Sequence, residues 1–173
     1  MERISPSLIS HSQVSAEEAV MLANHFYDKG RAITDKSVFK TMGNLNKLEH
    51  VFMAGALCYQ QLEIPTPGTD ETVVHLVGFR YVPTHELKGY MLYTVGYPWW
   101  SSTCKGVSEL AVMSIQEGCG IGRKAAEYLK YLVKLNIVDV VETGTAIVKN
   151  NHINNSYKKC GFTKSSSFMY MKE

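Results

Sequence analysis

Three glycines in five positions, Gly118, Gly120 and Gly122, separate a short apolar run from an amphipathic one. The run before them, residues 109–115, has the length of a buried strand. After them Ile121, Ala125, Tyr128, Leu129, Leu132 and Val133 recur at helical spacing. Strand, glycine turn and helix in this order aim backbone N–H groups outward. Glycine permits positive φ and lets a ligand approach the main chain, and a helix start adds unpaired donors and a partial positive charge. The stretch is predicted to hold phosphate.

At 173 residues the chain is long enough for a sizeable core and reads as one domain, 1–173. A net charge of +2 is too small to announce a nucleic-acid binder. From Lys105 onward, however, 10 Lys and Arg face 6 Asp and Glu, a mildly basic part that suits a small polyanion. Cys58, Cys104, Cys119 and Cys160 form no Cys-x-x-Cys pair and show no zinc-finger spacing with histidine. The expectation is a reduced, cytoplasmic, metal-free protein. Residues 1–10 lack the apolar stretch of a signal peptide, and no run approaches the length of a membrane helix.

Along the chain, residues 3–10 are predicted as a short first strand. Ser15 reads as the N-cap of a helix, with Glu18 at capping-box spacing and Gly30 as its stop. Residues 35–42 suggest another helical turn or two, and 44–62 a helix by their length, although part of the pattern alternates as in a strand. A loop at 64–70 leads into paired strands at 72–82 and 87–97. After the central strand and helix come a strand at 139–148, a short helix at 150–160 closed by Gly161, and a final strand at 168–171. This order describes a mixed α/β domain around one sheet.

Two familiar phosphate motifs fit poorly. A P-loop needs Gly-Lys-Ser/Thr, whereas Gly122 is followed by Arg123, Lys124 and Ala125. A dinucleotide fold wants a third glycine where Arg123 stands, and further βα units that the remaining chain is too short to supply. A third reading rests on two segments. Glu117-Gly118-Cys119-Gly120-Ile121-Gly122 resembles Gln/Arg-x-x-Gly-x-Gly/Ala, the pyrophosphate motif between the fourth strand and third helix of the GNAT superfamily of acyl-CoA-dependent N-acyltransferases. The closing glycines match. The opening residue is Glu, and Cys119 stands where a basic residue is common, which weakens side-chain contacts to phosphate and leaves the backbone cradle intact. Independently, residues 150–162, with Asn150, Tyr157, Gly161 and Phe162, resemble the family's Asn-x(6)-Tyr-x(3)-Gly-Phe signature. The two matches cover residues 109–162.

The resemblance implies an α/β (α+β) GNAT fold: one mixed, mostly antiparallel sheet flanked by helices and splayed between the fourth and fifth strands. It implies acetyl-CoA as cofactor, its pantetheine arm lying along the fourth strand as an added strand would. Its pyrophosphate would rest on the amides of Gly118, Cys119, Gly120, Ile121 and Gly122. A backbone N–H near Val112 or Met113 would serve the oxyanion. Arg123 and Lys124 oppose the helix dipole; either a bound anion reverses the field there or they are solvated surface residues. Glu109 is the candidate general base, taking the proton an ammonium must lose before it attacks a thioester; alternatively it is a strand-end carboxylate. Tyr157 is the candidate acid, since a phenol of pKa ~10 can protonate a thiolate whose acid has pKa ~8.5; alternatively it is a core aromatic. Asn150 would bond the cofactor arm, cap the helix, or both. Tyr97, Trp99 and Trp100 would wall the acceptor site or staple the hairpin. Cys119 is a small filler or a thiol activated by the helix start. His25, His50, His75, His85 and His152 share no spacing and suggest no chemistry.

The function this implies is transfer of an acetyl or other acyl group to a primary amine by direct attack, with no covalent enzyme intermediate. The acceptor would be a small molecule or a protein, with aminoacyl-tRNA the one nucleic-acid partner left open, and homodimerisation is common in the family. The alternative is a non-catalytic CoA-binding or protein-interaction module on the same fold; a nucleotide-binding protein is a third reading.

Overall fold

A computed structural model describes residues 4–33, 44–67, 69–98, 101–143 and 152–163, without the side chains of 152–154. The elements are β1 (Ile9–Ser12), α1 (Ala16–Ile33), α2 (Leu45–Gln61), β2 (Thr72–Tyr81), β3 (Glu86–Gly96), β4 (Gly106–Ser114), α3 (Ile121–Lys134), β5 (Val140–Glu142) and α4 (His152–Lys159). The strands form one sheet in the order β1-β2-β3-β4-β5. Neighbours through β4 run antiparallel, and β4 and β5 pair in parallel.

Local chemistry accounts for most boundaries. The Ser15 amide donates to Glu18 Oε2 at 2.9 Å and the Glu18 amide to Ser15 Oγ at 3.2 Å, the reciprocal capping box read in the sequence. Asn44 caps α2 by accepting from the Lys47 amide. Two expectations are corrected. The first strand begins at Ile9, because Pro6–Leu8 form a 3-10 turn with proline near its start, where the missing N–H does no harm. The first helix runs through Gly30 to Ile33; Gly30 is buried, and packing overrides a weak stop signal. The expected helix at 35–42 and strand at 168–171 lie outside the described residues, as does the expected strand at 139–148 beyond residue 143.

Helices cover both faces of the sheet. On one, Val14 and residues of α1 and α2, including Leu22, Phe52 and Ala56, pack on Leu76, Tyr90, Leu92 and Ala111. On the other, Ile121, Ala125, Tyr128 and Leu129 of α3 and Tyr157 of α4 join Val77, Met91, Tyr93 and Val107. Burying both faces gives β3 its near-continuous apolar sequence.

Two departures from regular pairing shape the site. Leu92 faces Ala111 while Tyr93 faces Glu109, so Leu110 is an extra residue, a β-bulge in the middle of β4. The parallel ladder with β5 comprises Gly106–Val140, Val107–Val141 and Ser108–Glu142, and it stops there. From Glu109 to Ser114 the outer edge of β4 has no strand partner among the described residues.

Candidate active site

At the end of β4 the chain turns through Gly118 at φ +81° and Gly120 at φ +70° before α3 begins. Both are left-handed values that cost an L side chain ~1–2 kcal/mol. A Cβ at Gly118 would meet nothing within 4 Å among the described residues. Among the described residues, the amides of Gly118, Cys119, Gly120, Ile121 and Gly122 donate to no acceptor. The helix bonds start only with Arg123 and Lys124, whose amides donate to the Gly120 carbonyl. Successive orphan donors at a helix start make a concavity for an anion. Cys119 itself is 1% exposed and belongs to the core. Burial pushes its thiol up in pKa, and the partial relief from Lys88 does not reverse this, so the side chain acts as the small filler rather than an activated thiol.

The cations that follow are occupied. Arg123 Nε and Lys124 Nζ each lie 2.8 Å from a Glu127 carboxylate oxygen one turn along the helix. A cleft of about 470 Å³ opens between α3 and α4, lined by Arg123, Glu127, Lys130, Ser156, Lys159 and Cys160. Its size suits a small ligand, and Arg123 joins it to the glycine turn.

Glu109 lies immediately before the bulge, where β4 loses its β5 partner. Its Oε2 is shut from solvent and has no hydrogen-bond partner among the described residues. Burial pushes its carboxyl up to about 8. Tyr157 Oη is likewise buried and unpartnered. Its ring is held by the way α4 ends: the Phe162 amide donates to the Tyr157 carbonyl and the Gly161 amide to that of Lys158, with Gly161 at φ +92°. This is a Schellman motif, and its customary apolar contact is the edge-on packing of Phe162 against Tyr157, 5.1 Å between centroids. The Tyr-x(3)-Gly-Phe part of the sequence signature is thus a helix stop that fixes one ring.

A third buried, unpartnered polar atom is His75 Nε2. Strand register brings it to the same place: His75 faces Tyr93 across β2 and β3, and Tyr93 faces Glu109 across β3 and β4. Directly opposed residues share a face, so the three form a row on the side of α3. The His75 and Tyr93 rings stack at 5.2 Å and 14°, and Tyr93 Oη shares a 2.9 Å hydrogen bond with Tyr128 Oη. Burial holds the His75 imidazole below its ordinary pKa. Sequence spacing carried no sign of this residue, because its neighbours come from other strands.

Val112 and Met113 face Met91 and Tyr90 of β3. The bulge falls at Leu110, so the strand is distorted two residues before the positions expected to supply an oxyanion donor. Tyr97 follows β3 and is half-buried. Trp99, Trp100 and Asn150 lie outside the described residues.

No protein-family model matches the sequence, and no curated protein does. Solved structures do match. A ribosomal-protein-alanine N-acetyltransferase from Brucella melitensis biovar Abortus 2308 aligns over 95% of this chain and 99% of its own, with a TM-score of 0.60 and 11% identity. A predicted acetyltransferase with acetyl-CoA from Clostridium acetobutylicum aligns over 95% and 96%, with a TM-score of 0.57 and 10% identity. A glucosamine-6-phosphate N-acetyltransferase from Arabidopsis thaliana aligns over 95% and 97%, with a TM-score of 0.55 and 13% identity. At such identities the likeness speaks for architecture. The chain therefore has the fold of the GNAT-type acetyltransferases, a curled five-stranded mixed sheet between helices, with its last described pair of strands parallel.

Proposed function

We propose that the protein is an N-acyltransferase that moves an acetyl group from acetyl-CoA to a primary amine. The observation that carries this reading is the coincidence, among the described residues, of five amides without an acceptor at the glycine turn and a strand edge without a partner. A diphosphate followed by an amide-bearing arm has the chemistry both would satisfy. Gly118 to Gly122 would hold the diphosphate, and the edge of β4 from Glu109 to Ser114 would pair with the arm. Bound acetyl-CoA supplies an activated acyl group on a good leaving thiol.

Glu109 and Tyr157 carry the proton chemistry in this reading. Tyr157 packs in the cluster that holds Tyr93 and Val107, and Glu109 faces Tyr93 across β3 and β4. A carboxylate whose acid has a pKa of about 8 is a stronger base than an ordinary glutamate, and the ionised fraction that can take the proton grows as pH rises toward 8. The Tyr157 hydroxyl, which bonds to no other group among the described residues, would give its proton to sulfur. The acceptor is an amine on a small molecule or a protein.

Release of free thiol from acetyl-CoA with a mixed panel of amines and peptides tests the proposal. Turnover that falls in both Glu109→Gln and Tyr157→Phe supports it. Tight CoA binding with no turnover on any acceptor would favour a CoA-binding module instead. Tighter binding of ATP or NAD than of CoA would overturn it.

A further inference from the structure

A diphosphate is strongly anionic, and beyond the partial charge of the helix start the glycine turn carries little positive charge of its own. Glu117 opens it, Cys119 in its middle is a buried neutral thiol, and Arg123 and Lys124 are tied to Glu127. Beneath the turn, however, lies a buried cation from another strand. Phe79 faces Gly89 and Arg80 faces Leu87, which leaves Lys88 as an extra residue, a bulge in β3. Its carbonyl accepts the Ile115 amide at 2.9 Å as β4 ends. The next residue, Gly89, sits so close under the turn that a Cβ there would lie 2.7 Å from both the Met113 carbonyl oxygen and the Ile121 side chain. Lys88 is 5% exposed; its Nζ donates to Gln116 Oε1 at 2.7 Å and pairs with Glu86 Oε2 at 2.7 Å. Its field reaches Cys119, in the middle of the turn.

Burying an ammonium is unfavourable for the fold unless its partners compensate. Here the charged partner is a poor one, since the Glu86 side chain is 63% exposed and its charge is screened by solvent. An ammonium has three donors, and two are engaged in these contacts. We propose that Lys88 supplies, from β3, the positive charge the glycine turn lacks toward a bound diphosphate, and that Glu86 is the anion it holds until that ligand arrives. This rests on the CoA reading above. Lys88 acts through the potential at the turn and through Gln116, as a positioning residue, while the main-chain amides make the contacts.

Calorimetric titration of CoA into wild type, Lys88→Met and Glu86→Gln, at several salt concentrations, separates the outcomes. In Lys88→Met, CoA binding is expected to weaken about tenfold and its salt dependence to become shallower, while the ligand-free melting temperature stays level or rises. In Glu86→Gln, CoA is expected to bind about threefold tighter, because the competing anion is gone. A Lys88→Met protein that binds CoA like wild type, or that loses affinity with an unchanged salt slope and a lowered melting temperature, would overturn the inference. Should Lys88→Met fail to fold, Glu86→Gln decides alone: tighter binding supports the role and unchanged binding refutes it. If wild type takes up no CoA, the functional reading fails first and takes this one with it.

Discussion

Replacing Glu109 with glutamine is expected to stabilise the fold while destroying activity, and the size of the gain should depend on pH. Burial lifts the Glu109 carboxyl from an ordinary 4.5 to about 8. Between those values the folded protein holds a proton that the unfolded chain has released, so wild-type stability falls as pH rises through this window and levels off above it. At about 1.4 kcal/mol per pH unit the loss is at most about 5 kcal/mol by pH 8. Glutamine has the same shape and no charge to desolvate. Urea melts at pH 5, 6.5 and 8 measure the difference: the two proteins should nearly coincide at pH 5 and diverge steadily, the variant being the more stable. Acetyl transfer by the variant should drop by at least about a hundredfold. Parallel pH–stability curves, or a variant less stable than wild type at pH 8, would refute the picture of a desolvated, unpaired carboxyl.

Other perturbations follow from the same geometry. Tyr157→Phe removes a buried hydroxyl that bonds to nothing described, so thermal melts should barely change while kcat falls by about a hundredfold or more. Gly118→Ala and Gly120→Ala both force an L residue to positive φ at ~1–2 kcal/mol, but only the second drives a Cβ to 2.7 Å from Pro6. Gly120→Ala should therefore melt lower, while Gly118→Ala should stay folded and lose CoA affinity in calorimetry. Phe162→Ala removes the ring that clamps Tyr157; kinetics should show a lower kcat with little change in KM for acetyl-CoA, and stability should fall by about 1–2 kcal/mol.

The parts of the fold legible in the sequence were those that local chemistry determines. Ser15 and Glu18 announce a helix start because the capping box lies within four residues, and Gly161 announces a stop because only a left-handed residue closes the α4 bonds. The glycine turn was visible for the same reason. Gly30 misled because its place is set by burial, a property of the packed structure. What depends on register across strands was hidden. The bulges at Leu110 and Lys88 arise from pairing with partners many residues away, and His75 and Glu109 share a row only through Tyr93 between them. Lys88 lies in the predicted strand at 87–97, and no local pattern marks it; its burial under the turn follows from β3 and β4 folding together.

The central claim is that the amides between Gly118 and Gly122 receive the diphosphate of CoA. Glycine amide resonances occupy their own region of a ¹⁵N–¹H correlation spectrum, so titrating CoA into labelled protein tests the claim residue by residue. Gly118, Gly120 and Gly122 are expected to shift strongly downfield in the proton dimension, as charge-assisted donors do, with residues of the β4 edge following. Saturation by CoA that leaves those three resonances in place would contradict it.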